Sequence, residues 1–159
     1  MNVLLRHATL ADAELVAHLT RCAWRGRVAV DSSGHDESAE RVAADLQAGG
    51  GFILLVDDAP AGSARWIPVD GDSDVWEIAR MGVLPDWRGQ NLSQQLLEAV
   101  IHEAQTADVE ELRLAVRHDQ PRLLHLYAAY GFELAPELEY SHANPAQPPP
   151  IVMRRRLKH

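Results

Sequence analysis

The sequence predicts a mixed α/β domain, with a central sheet of about seven strands flanked by about four helices. Three observations support this fold class. Short apolar runs typical of buried strands alternate with segments whose apolar residues recur at helical spacing. Two of these runs, 52–56 and 61–67, are joined by a short turn and predict an antiparallel hairpin. Later strands are separated by helices, which predicts parallel neighbours in the same sheet.

Length and composition fit one domain over residues 1–159. Hydrophobic residues make up 47% and charged residues 24%, as in ordinary globular proteins that bury a sizeable core. The net charge of -8 argues against a general nucleic-acid binder and weakly favours a cationic substrate. No apolar run approaches the roughly 18–20 residues that span a bilayer, and no signal-peptide pattern opens the chain. We therefore expect a cytoplasmic protein without a membrane partner.

The single cysteine, Cys22, excludes an internal disulfide and fits a reducing compartment. It falls on the apolar stripe of a predicted helix, which favours a small buried side chain over a nucleophile. No spacing of His, Cys and Asp resembles a metal site, so no metal is expected.

The first half of the chain predicts a strand, two helices and the hairpin. A strand at 2–7 precedes residues 9–12, which have the form of a capping box and open the first helix. Asp36 is expected to cap the second helix, which ends at the triple glycine 49–51. Between these helices, segment 24–35 is either a plain connection or part of a substrate wall.

The second half predicts the rest of the sheet. A strand at 75–84 runs into a helix with apolar residues at helical spacing: Leu92, Leu96, Leu97, Val100, Ile101 and Ala104. After a strand at 112–116, Asp119 is expected to cap a helix that ends at Gly131. Segments 132–140 and 151–157 predict the last two strands, the final one at an edge. Its three arginines could bind an anion, but plain surface charge is the favoured interpretation.

Segment 83–97 joins a strand to a helix through a small basic turn. The first N–H groups of a helix lack internal partners, and the helix dipole places partial positive charge there. Gly89 allows close approach of the backbone to a ligand, and Arg88 adds a full positive charge. The segment therefore predicts a phosphate-binding turn, with an ordinary strand–helix loop as the alternative.

These residues resemble two signatures of the GCN5-related N-acetyltransferases (GNAT). Val83-Leu-Pro85-Asp-Trp-Arg88-Gly89-Gln-Asn91-Leu-Ser93, with Leu96-Leu97 beyond it, resembles the acetyl-CoA motif Val-x-Pro-x-x-Arg-Gly-x-Gly-x-Gly/Ala followed by Leu-Leu. Residues 120–132 resemble the second signature, Asn-x-x-Ala-x-x-Leu-Tyr-x-x-x-Gly-Phe. The element order agrees over nearly the whole chain. The resemblance implies the GNAT sheet, splayed between the fourth and fifth strands beside a bulge.

Four positions depart from these signatures. Asn91 and Ser93 stand where small residues, mostly glycine, are usual, while Gln120 and Leu123 replace Asn and Ala. Asparagine tolerates left-handed backbone, so Asn91 is expected to keep the shape of the turn, although its side chain could crowd a pyrophosphate. Ser93 is small and still offers its backbone N–H.

The resemblance implies transfer of an acetyl group from acetyl-CoA to a primary amine of a small molecule or peptide by direct attack. The alternative is a non-catalytic acyl-CoA-binding or regulatory domain on the same fold, which the substituted motif positions would suit. Segments 24–35, 69–74 and 140–150 are expected to shape the acceptor site. Homodimers are common in the family, so a homodimer is one expected assembly.

The resemblance also implies roles for individual residues. Glu77 is the expected base, acting through water, and Tyr127 the expected proton donor to the thioester sulfur. As alternatives, Glu77 is a strand-face charge or an ion-pair partner of Arg80, and Tyr127 a core tyrosine. His118 could face the cleft, whereas His125 is expected to face solvent.

The implied donor site is mostly backbone. Pantetheine would pair with a short stretch of the central strand, where one N–H would also stabilise the oxyanion: Met81, Gly82 and Val83. The N–H groups at the helix start would hold the pyrophosphate, with Arg88 and Gly89 completing the turn: Gln90, Asn91, Leu92 and Ser93. Gln120, at the asparagine position of the second signature, joins this set.

Overall fold

A computed structural model describes residues 1–24, 37–69, 72–117, 120–140 and 149–157. Its elements follow the predicted order. The strands are β1 (Val3–His7), β2 (Gly50–Val56), β3 (Ala59–Val69), β4 (Asp72–Val83), β5 (Glu111–Val116), β6 (Glu133–Leu134) and β7 (Ile151–Arg156). The helices are α1 (Ala13–Trp24), α2 (Ala39–Ala48), α3 (Leu92–Thr106) and α4 (Leu123–Ala129).

The seven strands form one mixed sheet in the order β1-β2-β3-β4-β5-β7-β6. Every neighbouring pair is antiparallel except β4 and β5, which are parallel. Because α3 separates β4 from β5 in the chain, it provides the long crossover that a parallel pair requires. The predicted mixed α/β sheet is confirmed.

Helices cover both faces of the sheet. On one face, α3 and α4 pack over a core formed by alternate residues of β2, β3 and β4. On the other face, α1 and α2 pack around Ile53. The six apolar residues predicted for the buried side of α3 are all buried. Since each buried leucine contributes about 1.5–3 kcal/mol, this stripe fixes α3 on the sheet.

The triple glycine does more than end a helix. Gly49 follows α2, but Gly50 and Gly51 begin β2. Only the first of the three glycines therefore ends the helix as predicted. A Cβ on Gly49 would lie 1.9 Å from the carbonyl oxygen of Trp66, and one on Gly50 would lie 2.5 Å from its ring. Glycine is therefore required here because β3 passes too close for a side chain.

Capping residues start the first two helices. The Asp12 carboxylate accepts a hydrogen bond from the N–H of Thr9 at 2.8 Å, as the predicted capping box requires. A short 3-10 turn follows Thr9 before α1 begins. The cap of α2 is Ser38, whose hydroxyl accepts from the N–H of Arg41 at 3.2 Å. Asp36, the predicted cap, lies outside the described residues.

Asp12 is expected to make stability depend on pH. Hydrogen bonds from Arg6 and from the N–H of Thr9 hold the pKa of the Asp12 carboxyl well below its ordinary value. A lowered pKa stabilises the fold above the unfolded-state pKa near 4, and the contribution is lost as pH falls below it. Since Arg6 is partly exposed, the contribution is on the order of 1 kcal/mol at pH 7.

Denaturant unfolding of the wild type and of Asp12→Asn between pH 7 and pH 2 checks this prediction. The wild type should be the more stable protein at pH 7, and the difference should shrink steadily below about pH 5. A difference that stays constant down to pH 2 would show that the Asp12 charge contributes nothing.

The end of the chain differs most from the prediction. Segment 132–140 was expected to be one strand, but β6 is only Glu133–Leu134. Pro136 cannot donate to a strand ladder, and the chain turns there. The last strand, β7, is not at an edge, because it lies between β5 and β6. α4 begins at Leu123, after a turn, and Asp119 lies outside the described residues.

The arginine run of β7 is engaged within the protein. Arg154 pairs with Glu133 at 3.4 Å and with Glu137 at 3.3 Å. The Arg155 guanidinium donates to the carbonyl of Tyr130 at 2.9 Å and so caps the end of α4. These contacts favour the structural interpretation of the run over anion binding.

Cys22 was expected to be a small buried side chain on α1. Cys22 is half-buried rather than buried, because it lies at the margin of the apolar stripe of α1, with its sulfur 3.5 Å from the Nε2 of His18.

In the part of the chain that the structure describes, no helix is long and apolar enough to cross a membrane.

Candidate active site

A gap between β4 and β5 is the central feature of the candidate site. The two strands pair at three positions only, from Val75–Glu111 to Glu77–Arg113. Beyond that point β5 continues beside β7 as far as Val116, whereas β4 continues beside β3. The predicted splay between the fourth and fifth strands is confirmed, and it leaves a stretch of β4 backbone without ladder bonds to β5.

A bulge in β4 lies in the separated stretch. Two β4 residues, Arg80 and Met81, oppose the single β3 residue Ala64, because the register shifts here. Arg80 has a φ of 54°, the left-handed region that non-glycine residues rarely adopt. Since a bulge bends and twists its strand, it accounts for the divergence of β4 from β5. The structure thus has the bulge that the resemblance implied.

Glu77 lies where the gap begins. It is the last β4 residue paired with β5, and it is only 1% exposed. Its neighbours Trp76 and Ile78 belong to the core under α3, so alternation along the strand directs Glu77 to the face covered by α1 and α2. Arg80, which the sequence suggested as a partner of Glu77, forms an ion pair with Glu37 at 3.3 Å.

Tyr140 reaches the same place from the far end of the chain. Its hydroxyl donates to the carbonyl of Ile78, the first β4 residue past the β4–β5 pairing, at 3.1 Å. Burial raises the pKa of Tyr140, and the negative charge of Glu77 raises it further. The sequence did not assign a role to Tyr140. The one signal for it was its place at the start of segment 140–150, which was expected to shape the acceptor site.

Tyr127 lies on the opposite face of the sheet, on the inner side of α4. It is 9% exposed and packs edge-on against Phe132, with ring centroids 6.3 Å apart. Burial raises the pKa of its hydroxyl, which favours the protonated form. The geometry therefore suits a proton donor and is equally compatible with a core tyrosine.

The turn before α3 has the backbone shape expected of an anion site. Gly89 has a φ of 82°, and Asn91 has a φ of 62°, so Asn91 adopts the left-handed conformation that was predicted for it. No side chain caps the helix at Asn91. A Cβ built on Gly89 would meet no atom within 4 Å. Exposed, uncapped N–H groups at this end of α3 fit the pyrophosphate of a coenzyme.

Arg88 has a contact that the sequence did not predict. Its guanidinium donates to the carbonyl of Ala23 in the last turn of α1. Gly82 packs closely against the same end of α1. A Cβ on Gly82 would lie 2.9 Å from the ring of Trp24 and 3.0 Å from the Cβ of Ala23. Both residues thus fix α1 against the candidate site, and their predicted roles toward the donor stay predictions.

The remaining predicted site residues lie on β4, at the start of α3 and just before α4. Met81 is half-buried and Val83 buried. Gln90 and Ser93 are exposed, and Leu92 is buried as the first residue of α3. Gln120 is 8% exposed, and its carbonyl accepts from the N–H of Leu123 at the start of α4.

The structure tests the prediction for one of the two histidines considered in the sequence, His118 and His125. His125 is exposed on α4, as predicted, whereas His118 lies outside the described residues. Across the ranges that the structure describes, no three His, Cys, Asp or Glu side chains form a group that could hold a metal ion.

Comparison with known families agrees with this geometry. A family model described as "Acetyltransferase (GNAT) family" matches residues 14–132. The chain belongs to this family. As a GNAT acetyltransferase it uses acetyl-CoA as the acetyl donor, and the open turn before α3 fits that molecule. No curated protein sequence matches the chain.

Solved structures share the fold at low sequence identity. The ribosomal-protein-S18-alanine N-acetyltransferase of Escherichia coli is 20% identical, with a TM-score of 0.77 over 99% of this chain and 96% of that one. PaiA N-acetyltransferase from Thermoplasma acidophilum, in complex with coenzyme A, is 16% identical, with a TM-score of 0.75 over 98% and 99%. A GNAT acetyltransferase from Elizabethkingia anophelis, with acetyl-CoA bound, is 20% identical, with a TM-score of 0.73 over 98% and 99%.

Proposed function

We propose that this GNAT acetyltransferase transfers the acetyl group of acetyl-CoA to a primary amine of a small molecule or peptide by direct attack. The observation that carries the proposal is the end of the β4–β5 pairing at Glu77–Arg113. From there β4 leads directly to the turn before α3. One extended molecule, with its acyl end at the gap and its phosphates at the turn, matches the shape of acetyl-CoA.

The donor would be held mainly by backbone groups. In the proposed arrangement pantetheine pairs with the β4 edge at Met81–Val83, which β5 leaves without ladder bonds. The pyrophosphate accepts hydrogen bonds from the N–H groups of residues 90–93, supported by the α3 dipole, and Arg88 and Gly89 complete the turn. The left-handed backbone conformation of Asn91 supports this arrangement, because it keeps the shape of the turn at a position where glycine is usual.

Two proton movements accompany the transfer. The acceptor ammonium loses a proton before its nitrogen attacks the thioester carbon, and the sulfur gains one as the C–S bond breaks. Glu77 is the proposed base, acting through water, because its carboxylate is buried where the gap opens. Tyr127 is the proposed acid, because it stands at the tyrosine position of the second signature and a tyrosine hydroxyl carries its proton near neutral pH.

The acceptor is proposed to approach from the α1–α2 face, where Glu77 and Tyr140 lie. A carboxylate at the gap and a net charge of -8 both favour a cationic amine over an anionic acceptor. Tyr140 would line this side, since its hydroxyl is fixed on the carbonyl of Ile78.

Coenzyme A release with acetyl-CoA and a panel of polyamines, aminoglycosides and peptides with free N-termini or lysines tests the proposal. We expect saturable release with at least one amine, and a rise in melting temperature on adding acetyl-CoA. Stabilisation without turnover across the panel would favour the non-catalytic alternative. No stabilisation by acetyl-CoA would contradict both.

Tyr127→Phe is expected to lower kcat about 10- to 100-fold, because the thiolate would leave without a proton donor. The ring and its packing on Phe132 remain, so the melting temperature and the acetyl-CoA dissociation constant should stay near wild-type values. Tyr130→Phe is the matched control, since that hydroxyl contacts the surface residue Glu98. Equal kcat for Tyr127→Phe and wild type would leave Tyr127 as a core residue.

A further inference from the structure

A buried ion cluster lies directly behind the bulge. The Glu37 side chain is fully buried, and its two carboxylate oxygens contact different strands. Oε1 accepts from Nη1 of Arg65 on β3 at 2.6 Å, and Oε2 lies 3.3 Å from Nε of Arg80 on β4. Arg65 also pairs with Asp45 of α2 at 2.9 Å.

Glu37 also joins both helices of this face. Its backbone carbonyl accepts from Nη1 of Arg21 in the last turn of α1 at 2.5 Å. It immediately precedes Ser38, the cap of α2. One residue therefore links α1, α2, β3 and the bulge.

The contact with Arg80 has a specific consequence for the backbone. Arg80 is the bulge residue in the left-handed region, a conformation that persists only where the surroundings hold it. The Arg80 side chain is 17% exposed, and burial lowers the pKa of its guanidinium while the charge of Glu37 raises it. A buried carboxylate that pairs with this guanidinium therefore favours the strained backbone over a regular strand.

We infer that Glu37 is a positioning residue for acetyl transfer: through its ion pair with Arg80 it holds the β4 bulge that keeps β4 apart from β5. The inference rests on the proposed function, since the held backbone is the edge assigned to pantetheine. Without the tether, the stretch from Arg80 to Val83 gains freedom to leave the bulged conformation. Glu37 touches no reacting atom in this account.

Glu37→Gln and Asp45→Asn form a matched pair for the test. Both remove a carboxylate from Arg65, and Glu37→Gln in addition removes the carboxylate that pairs with Arg80. Hydrogen exchange of the β4 peptide, without any ligand, should be at least tenfold faster in Glu37→Gln and near wild type in Asp45→Asn. The acetyl-CoA dissociation constant, measured well below both melting temperatures, should rise at least tenfold in Glu37→Gln only.

Arg80→Ala and Arg80→Gly keep the test decisive if Glu37→Gln does not fold. Both remove the ion pair, but glycine adopts a positive φ without strain. Both variants should therefore exchange faster in β4 and bind acetyl-CoA more weakly than the wild type, and the alanine variant, which also strains the backbone, should bind it at least fivefold more weakly than the glycine variant.

Three results would overturn the inference: unchanged β4 exchange in Glu37→Gln, an equal effect of Asp45→Asn, or wild-type β4 exchange in both Arg80 variants. Failure of the wild type to bind acetyl-CoA is a different outcome. It would contradict the proposed function, while exchange in β4 would still decide whether Glu37 holds the bulge.

Discussion

Glu77→Gln is expected to lower kcat/KM for the acceptor amine by about 100-fold or more, the usual range for loss of a general base. Glutamine has nearly the same shape but cannot accept the proton of the ammonium. Because the donor is bound mainly through backbone groups in this account, the acetyl-CoA dissociation constant should change less than about threefold. Steady-state kinetics and calorimetric titration with acetyl-CoA measure the two quantities.

The pH dependence separates a base from a structural carboxylate. If the substitution removes the base, raising the pH should recover part of the activity, because more of the amine is then already deprotonated. Glu111→Gln is the control, since Glu111 lies on β5 and pairs with Arg113 at 2.6 Å. A Glu77→Gln enzyme with kcat/KM within threefold of wild type would remove Glu77 from the base role.

Ser93→Asp is expected to have opposite effects on binding and on stability. A carboxylate in the first turn of α3 would face the pyrophosphate, so the acetyl-CoA dissociation constant should rise about 10- to 100-fold. The same charge interacts favourably with the helix dipole, and α3 has no acidic residue in its first turn. The melting temperature should therefore stay level or rise by about 1–3 °C.

Ser93→Ala is the matched control, because it keeps the backbone N–H and adds no charge. It should bind acetyl-CoA within about threefold of wild type. A Ser93→Asp protein that binds acetyl-CoA as tightly as the control would contradict the assignment of the pyrophosphate to this turn. A protein that loses both stability and binding would instead indicate general damage to α3.

The features that local sequence determines were predictable. The stripe on α3 follows from helical spacing, and all six predicted residues are buried. The left-handed Asn91 follows from the intrinsic preference of asparagine and from the motif. The β4–β5 splay came from the resemblance, because periodicity alone does not say where two strands stop pairing.

Features that depend on distant contacts were not predictable. Glu37 meets Arg65 and Arg80 only after the sheet has formed, and no local pattern marks such a pair. Tyr140 likewise reaches Ile78 across 62 positions of sequence. The interior position of β7 depends on the pairing of the two-residue β6, which is too short for an alternation pattern to predict.

Amide NMR spectra of isotope-labelled protein during a titration with coenzyme A test whether the donor binds along β4 and the turn before α3. We expect saturable shifts concentrated in two sets of amides, those of residues 81–83 on the β4 edge and those of residues 90–93 at the start of α3. The amide signals of β1, at the far edge of the sheet, should shift little. Saturable shifts confined to other parts of the chain, with both sets unaffected, would show that coenzyme A binds elsewhere.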